Sequence, residues 1–309
     1  MAELKPRLLL LTRPTRLEEL LRQQLSRARA RFYLEQLGAD WADYEEEDRC
    51  YREALNQLRP TLEAWGRWQR LDRSQLANFL FAADDVVLAL GHDGLVVNAL
   101  KYLRGQPLVG INPEPARFAG SLLPFRPNQL AALLRSLNHL HQQPVTLAQV
   151  NLSDGQRLLA VNDLFIGRSG HRSAVYELDY GGQRERQSSS GLIVSTGLGS
   201  GAWLKSVIQG AAGILRGLGQ PLPELYQPLP WDSPELVFAV REPFASPTSG
   251  LNQVFGRVDG RRPLRLRSEM SGDGVIFSDG IDSDFLRFEA GMTATITPAP
   301  TPGLLVRDS

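Results

Sequence analysis

The sequence predicts an α/β domain over residues 1–127 followed by a mainly β domain over residues 128–309. Two observations carry that division. Up to residue 111, short continuous apolar runs alternate with segments of helical period, which marks a parallel sheet joined by right-handed crossovers. Beyond residue 127 the pattern becomes one of short strands between Gly and Pro, with alternation of apolar and polar residues at Ala174–Tyr180. A chain of 309 residues, 42% hydrophobic and 22% charged, can bury the core that two such domains need.

In chain order, residues 8–11 read as a buried first strand ended by Arg13-Pro14. Leu17, Leu20, Leu21, Leu25, Ala28 and Phe32 recur at helical spacing, so residues 17–37 are expected to form one amphipathic helix. Residues 39–79, acidic at 45–48 and then rich in Trp, Arg and Leu, are expected to be helical throughout. Asp85–Leu90 is a second buried strand, residues 95–103 a helix and Pro107–Ile111 a third strand. In the β region, residues 158–169 make an apolar strand interrupted by Asn162 and Asp163. Ala174–Tyr180 enters a hairpin through Gly181-Gly182, and residues 191–195, 235–241, 264–267 and 275–277 are further short strands. The Pro-rich end, residues 297–309, is expected to run over the surface or to return to the first domain.

Composition excludes some partners. Lys+Arg 34 against Asp+Glu 34 leaves no global positive field to hold nucleic acid. The apolar run near the N-terminus is too short to span a membrane and no cleavage-site pattern follows it, so a cytoplasmic protein with no membrane partner is expected. The lone Cys50 excludes an intrachain disulfide and a cysteine-cluster metal site, which fits a reducing compartment.

Three segments carry chemistry. In "VVLALGHDGLVVNAL", residues 86–100, a buried strand runs into Gly91, His92, Asp93 and Gly94 and then a helix. A glycine-bracketed turn at the carboxyl end of a parallel strand aims free N–H groups at a ligand and suits a phosphate, with Asp93 at the mouth of the crevice. The competing reading makes Asp93 the cap of the following helix. In "SSSGLIVSTGLGSGAWLKSVIQGAAG", residues 188–213, Ser195, Thr196 and Ser200 are spaced by Gly197, Gly199 and Gly201. Such a turn can offer N–H and O–H donors to a nucleotide, or it is a flexible loop; without a Gly-Lys-Ser/Thr ending it is no Walker A motif. In "LLAVNDLFIGRS" the adjacent Asn162 and Asp163 can grip ribose hydroxyls or an adenine edge, or mark a turn or sheet edge.

Taken in order, these segments, with "INPEPARFAGSLLPF" (111–125), resemble the NAD kinase family and most closely its mitochondrial branch. "VNDLFIGRSGHRSAVYEL", "STGLGSGAW", "FAVREPFA" and "FSDG" extend the likeness over most of residues 80–290. The resemblance implies the NAD kinase/diacylglycerol kinase-like fold, with a ligand cleft between the two domains. It also implies phosphorylation of the 2′-hydroxyl on the adenosine ribose of NAD by ATP, with Mg²⁺ carried by the ATP phosphates and no metal ligands from the protein. By position, Asp93 would orient the attacking hydroxyl and accept its proton, while Gly91, His92, Gly94 and Asn112 would handle nucleotide and phosphate. Asn162, Asp163, Thr196, Gly199, Ser200, Trp203 and Asp279 would bind NAD. A homodimer is the form the family implies. Lys101 and Lys205, each in the helix after a glycine-rich loop, would add positive charge or stand as solvated surface residues.

The chain departs from the family pattern where phosphate is handled. His92 and Leu95 stand where the family reads Gly and Thr, so backbone freedom and one hydroxyl donor are lost. Asp163 replaces a glutamate, and Gly201 and Trp203 stand where Thr and Tyr are usual. Two other readings therefore stand beside the NAD kinase: a kinase of the same fold acting on a sugar or lipid hydroxyl, and an NAD(P)-binding protein with impaired catalysis.

Overall fold

The computed structural model describes residues 5–221 and 226–308. It divides into two compact units. The first runs to Gln143 and takes back the C-terminal residues from Leu304, and the second spans Pro144–Gly303.

The first unit contains β1 (Arg7–Thr12), α1 (Arg16–Gln24), α2 (Arg27–Gln36), α3 (Trp41–Trp65), β2 (Trp68–Asp72), β3 (Asp85–Leu90), α4 (Asp93–Leu100), β4 (Pro107–Ile111), α5 (Leu130–Arg135) and β5 (His141–Val145). Its sheet has the order β2-β1-β3-β4, then the C-terminal strand Gly303–Arg307, then β5. The pairs β1–β2, β1–β3, β3–β4 and β4 with the C-terminal strand are parallel. β3 is buried along its whole length, as its unbroken apolar run requires of a central parallel strand. On α3 the residues Glu47, Tyr51, Ala54, Leu58 and Leu62 make one buried stripe at helical spacing. Its apolar members share a core with Leu8, Leu88 and Val109.

Three expectations change here and a fourth is decided between its two alternatives. Residues 17–37 form two helices, because Leu25 takes a left-handed conformation (φ 59°) and the Ser26 hydroxyl then caps α2 by accepting from Arg29 N–H. Residues 39–79 are not helical throughout: α3 stops at Gly66 and β2 follows as an edge strand paired only with β1. The boundary lies at 143/144 instead of 127/128, because Leu130, Leu133 and Leu134 of α5 are buried in the first core. Of the two courses expected for the C-terminal segment, it takes the return to the first unit: Leu305 and Val306 are buried and the strand lies beside β4.

The second unit contains β6 (Ala148–Leu152), β7 (Arg157–Ala160), β8 (Asp163–Arg168), β9 (Ala174–Tyr180), β10 (Gln183–Ser189), β11 (Leu192–Ser195), α6 (Trp203–Gly217), β12 (Leu236–Val240), β13 (Phe255–Val258), β14 (Leu264–Ser268), β15 (Gly274–Ser278), β16 (Ile281–Arg287) and β17 (Thr293–Pro298). They form two six-stranded sheets, ordered β10-β9-β14-β17-β6-β7 and β13-β12-β11-β8-β15-β16. Both sheets turn alternate residues into a shared core that includes Val150, Ile166, Tyr176, Phe238 and Ile296. The outer face of the second sheet carries Phe165, Ile193 and Val237, which pack with Leu204 of α6. Residues 158–169 are thus two strands in different sheets, and Asn162 lies in the crossover between them.

Candidate functional site

In the first unit the chain leaves β1 for β2 on one side and returns to β3 on the other, so a crevice opens at the carboxyl ends of β1 and β3. A cavity of about 250 Å³ lies there, lined among others by Arg13, Arg73, Glu47, Gly91 and His92. Tyr51 of α3 ties the two strand ends together: its hydroxyl accepts from Arg13 N–H (3.1 Å) and donates to Leu90 O (3.1 Å).

Asp93 is the first residue of α4, and the cap position is held by His92, whose side chain makes no cap bond. Asp93 therefore does not cap the helix. Its carboxylate accepts from Ser121 Oγ (3.1 Å) and from Leu122 N–H (3.0 Å), which holds it at the strand end beside the helix N-terminus. His92 sits at φ −121°, ψ 168°, extended backbone open to any residue, so replacing glycine there needs no special backbone freedom. Desolvation, with Arg13 and Arg73 next, holds its imidazole below 6.5 and leaves it neutral at pH 7. Gly91 and Gly94 are closely packed by side chains: a Cβ would meet Leu95 Cδ2 at 3.0 Å and His92 Nδ1 at 3.0 Å respectively, tight contacts that those side chains would have to relieve. Leu95 is buried.

Asn112 does not present its amide to a ligand. It is buried, donating to Phe118 O (2.9 Å) and accepting from Glu114 N–H (2.9 Å), so both ends of the amide shape its own loop. Lys101 is buried at the far end of α4 from the turn, so the charge expected of it at the turn is absent. Lys205 is exposed on α6.

In the second unit four of the expected residues serve the protein's own backbone. Asp279, at φ 56°, accepts backbone N–H bonds from Val161, Asn162 and Asp163 at 2.7–3.2 Å. It is the anion that fills a backbone nest and fixes the crossover, so its carboxylate is already taken. Thr196 and Ser200 are fully buried. The Thr196 hydroxyl donates to Val161 O (2.5 Å) and accepts from Gly199 N–H (3.1 Å), while that of Ser200 donates to Gly197 O (2.7 Å) and accepts from Leu229 N–H (2.9 Å). Gly199 serves close packing: a Cβ there would lie 2.2 Å from Asn162 O.

Asn162 and Asp163 remain as groups of possible ligand chemistry. The Asn162 amide, half-buried, makes no side-chain hydrogen bond among the described residues. Asp163 is buried and accepts from the Ser195 hydroxyl; desolvation raises its pKa from 3.8 to about 7, against that hydrogen bond and with Asp279 adding to the rise. Trp203 opens α6 and stacks on Phe165, ring centroids 5.9 Å apart, with the Arg241 guanidinium 5.4 Å from its ring. These three residues line a cavity of about 710 Å³ together with Phe277, Arg168 and Arg172.

No protein-family model matches the chain. NAD kinase 2, mitochondrial, of Homo sapiens is 30% identical to it over 52% of this chain and 52% of that protein. The Rattus norvegicus protein of the same name is 30% identical over 52% and 54%. The chain thus spans about half the length of these relatives. Among solved structures, yeast NADH kinase complexed with NADH is similar with a TM-score of 0.62 at 13% identity, covering 99% of this chain and 85% of that one. An NAD kinase from Archaeoglobus fulgidus in complex with ATP gives a TM-score of 0.52 at 18% identity, covering 98% and 94%.

Over about half of its length the chain is similar in sequence to the mitochondrial NAD kinases, and it has the fold of the NAD kinases. Against that fold, the residues that sequence reasoning missed are Arg13, Arg73, Glu47 and Tyr51 around the first cavity, and Phe165, Phe277 and Arg241 around the second. One signal was available for Arg13: it directly follows a buried parallel strand, and the carboxyl end of such a strand is where ligand groups gather.

Proposed function

We propose that the chain is a kinase that transfers a phosphoryl group from Mg·ATP to the 2′-hydroxyl on the adenosine ribose of NAD, giving NADP. The observation that carries this reading is Asp93, a carboxylate held by two hydrogen bonds at the carboxyl end of β3 and the N-terminus of α4, where a phosphate seat and a proton acceptor are both needed. In this reading Asp93 orients the hydroxyl and takes its proton. The first N–H groups of α4 take phosphate, and the free Asn162 amide and Asp163 bind ribose or adenine. Trp203 offers a face for stacking. In this reading magnesium is carried chiefly by the ATP phosphates, whose charge it neutralises. The reading keeps a homodimer and a reducing cytoplasmic compartment, the latter supported by the lone Cys50.

The test is NADP formation from NAD and Mg·ATP by the purified chain, with Asp93→Asn alongside. Asn keeps an acceptor for Leu122 N–H but cannot take a proton, so turnover should fall by roughly 10²–10⁴-fold with NAD affinity nearly unchanged. Equal turnover per folded molecule in the two proteins would refute the role. A second reading, nucleotide binding without turnover, is favoured by buried Leu95, which brings no hydroxyl to the turn. NAD binding with no product from the unaltered chain would select it.

A further inference from the structure

We infer that Arg13 is a phosphate-contacting residue, that Glu47 positions it, and that its ligand is the phosphate chain of the donor nucleotide. This rests on the kinase reading above. The Arg13 side chain is 10% exposed, and its Nε–H is buried with no acceptor among the described residues. Such a donor is costly unless something arrives to accept it.

Its other groups are fixed. One terminal nitrogen donates to Pro14 O (2.9 Å), the other to Glu47 Oε1 (2.8 Å), and the guanidinium lies 5.4 Å from the Tyr51 ring centroid. Arg13 Nε would sit 3.5 Å from a Cβ at residue 91, so the unmet donor lies against the turn that opens α4. The Leu95 N–H already donates to His92 O (2.9 Å), so the Asp93 and Gly94 N–H groups are those that precede the helical ladder, and the guanidinium adds a charge-assisted donor beside them.

Glu47 is 4% exposed and serves two cations: its second oxygen accepts from Arg16 Nε. Arg16 is paired with Asp43 as well (2.9 Å), and the cavity's Arg13, Arg16 and Arg73 stand against Glu19, Glu47 and Glu114, so what is unmet there is the Arg13 Nε–H and not a net charge. Arg73, on the same cavity, is paired among the described residues with the half-exposed Glu19 at 3.0 Å. Glu114 also lines it, but lies 3.8 Å from Arg117. The lowered His92 pKa reflects the Arg13 and Arg73 charges after desolvation. In a turn where Leu95 brings no hydroxyl and His92 is neutral, Arg13 supplies a donor from a different strand.

Calorimetric titration with inorganic tripolyphosphate and with Mg·ATP tests this on the wild type, Arg13→Lys and Arg13→Met. Methionine keeps an apolar stem over Tyr51, and lysine keeps the charge without the Nε–H. Arg13→Met should weaken ATP binding about tenfold or more and Arg13→Lys by less, with the KM for ATP rising in step while the KM for NAD stays within about twofold. Tripolyphosphate binding that follows the same order supports the inference with the phosphates alone as the recognised group. ATP binding that follows it without tripolyphosphate binding supports it with the whole nucleotide as ligand. An Arg13→Met protein that melts like the wild type and binds ATP within about twofold of it overturns the inference.

Should Arg13→Met fail to fold, Glu47→Gln carries the test. It keeps an acceptor for Arg13 but removes the charge, and a KM for ATP unchanged in it overturns the positioning role. The two readings fail separately. Arg13-dependent phosphate binding without NADP formation overturns the kinase, whereas NADP formation with a KM for ATP indifferent to Arg13 overturns only this inference.

Discussion

Two glycine-bracketed turns in this chain look alike in sequence and are built on opposite plans. Around Gly197 and Gly199 the glycines are required because backbone meets backbone: a Cβ at 197 would lie 1.9 Å from Pro230 O. The hydroxyls of Thr196 and Ser200 there are tied to backbone groups of their own unit. Around Gly91 and Gly94 the glycines make room for side chains, those of Leu95, Arg13 and His92, and donors are left over. Small residues and hydroxyls thus announce a tight backbone. Whether a turn can bind a ligand depends on which partners already hold its polar groups.

The comparison breaks most visibly under a single methyl group. Gly197→Ala pushes a Cβ into a carbonyl oxygen that cannot move without displacing the 230–231 backbone, so the protein should lose about 3 kcal/mol or fail to fold. Gly94→Ala meets only the movable His92 ring at 3.0–3.1 Å and sits within α4, so its stability should stay within about 1 kcal/mol of wild type. Chemical denaturation of the two variants decides. Equal losses would mean that both turns are packing elements.

Acidity sharpens the contrast further. Asp163 lies beside the packed turn, and burial raises its pKa from 3.8 to about 7. Between those values the folded chain keeps a proton that the unfolded chain has released. This group therefore makes stability fall as pH rises through the window, with no further change above it. Asp163→Asn removes the titration, so its melting temperature should decline less than that of the wild type as pH is raised from about 5 to about 8. Parallel curves would show that Asp163 stays ionised and that Ser195 alone stabilises it.

Sequence alone located both turns, because each follows a buried strand and the change of period from strand to helix is unambiguous at residues 90–95 and 195–203. It failed on α1 and α2 because the break falls at Leu25, a residue type that gives no sign of a left-handed backbone. It set Asp279 among the NAD-binding residues, yet the carboxylate serves the 161–163 backbone; nothing in the sequence tells a ligand-binding aspartate from a nest-filling one. The pairing of Arg13 with Glu47 was illegible for another reason. Arg13 follows β1 and Glu47 stands on α3, and only the fold brings the guanidinium to the carboxylate.

The smallest effect is expected at His92, and it tests whether the first turn works through its backbone or through that ring. A glycine at this position relieves no strain, since the residue is already extended at φ −121°. Glycine is also tolerated at a helix cap, so His92→Gly should change stability by less than about 1 kcal/mol. With the imidazole neutral at pH 7, the ring brings no charge to a phosphate, and the KM for ATP should shift by less than about threefold, equally at pH 7 and pH 8. If the KM instead rises about tenfold in the variant, and only in acid where the wild-type ring is protonated, then an imidazolium binds phosphate. The turn would then act through a side chain as well as through its N–H groups, and Arg13 would share the phosphate with a second cation.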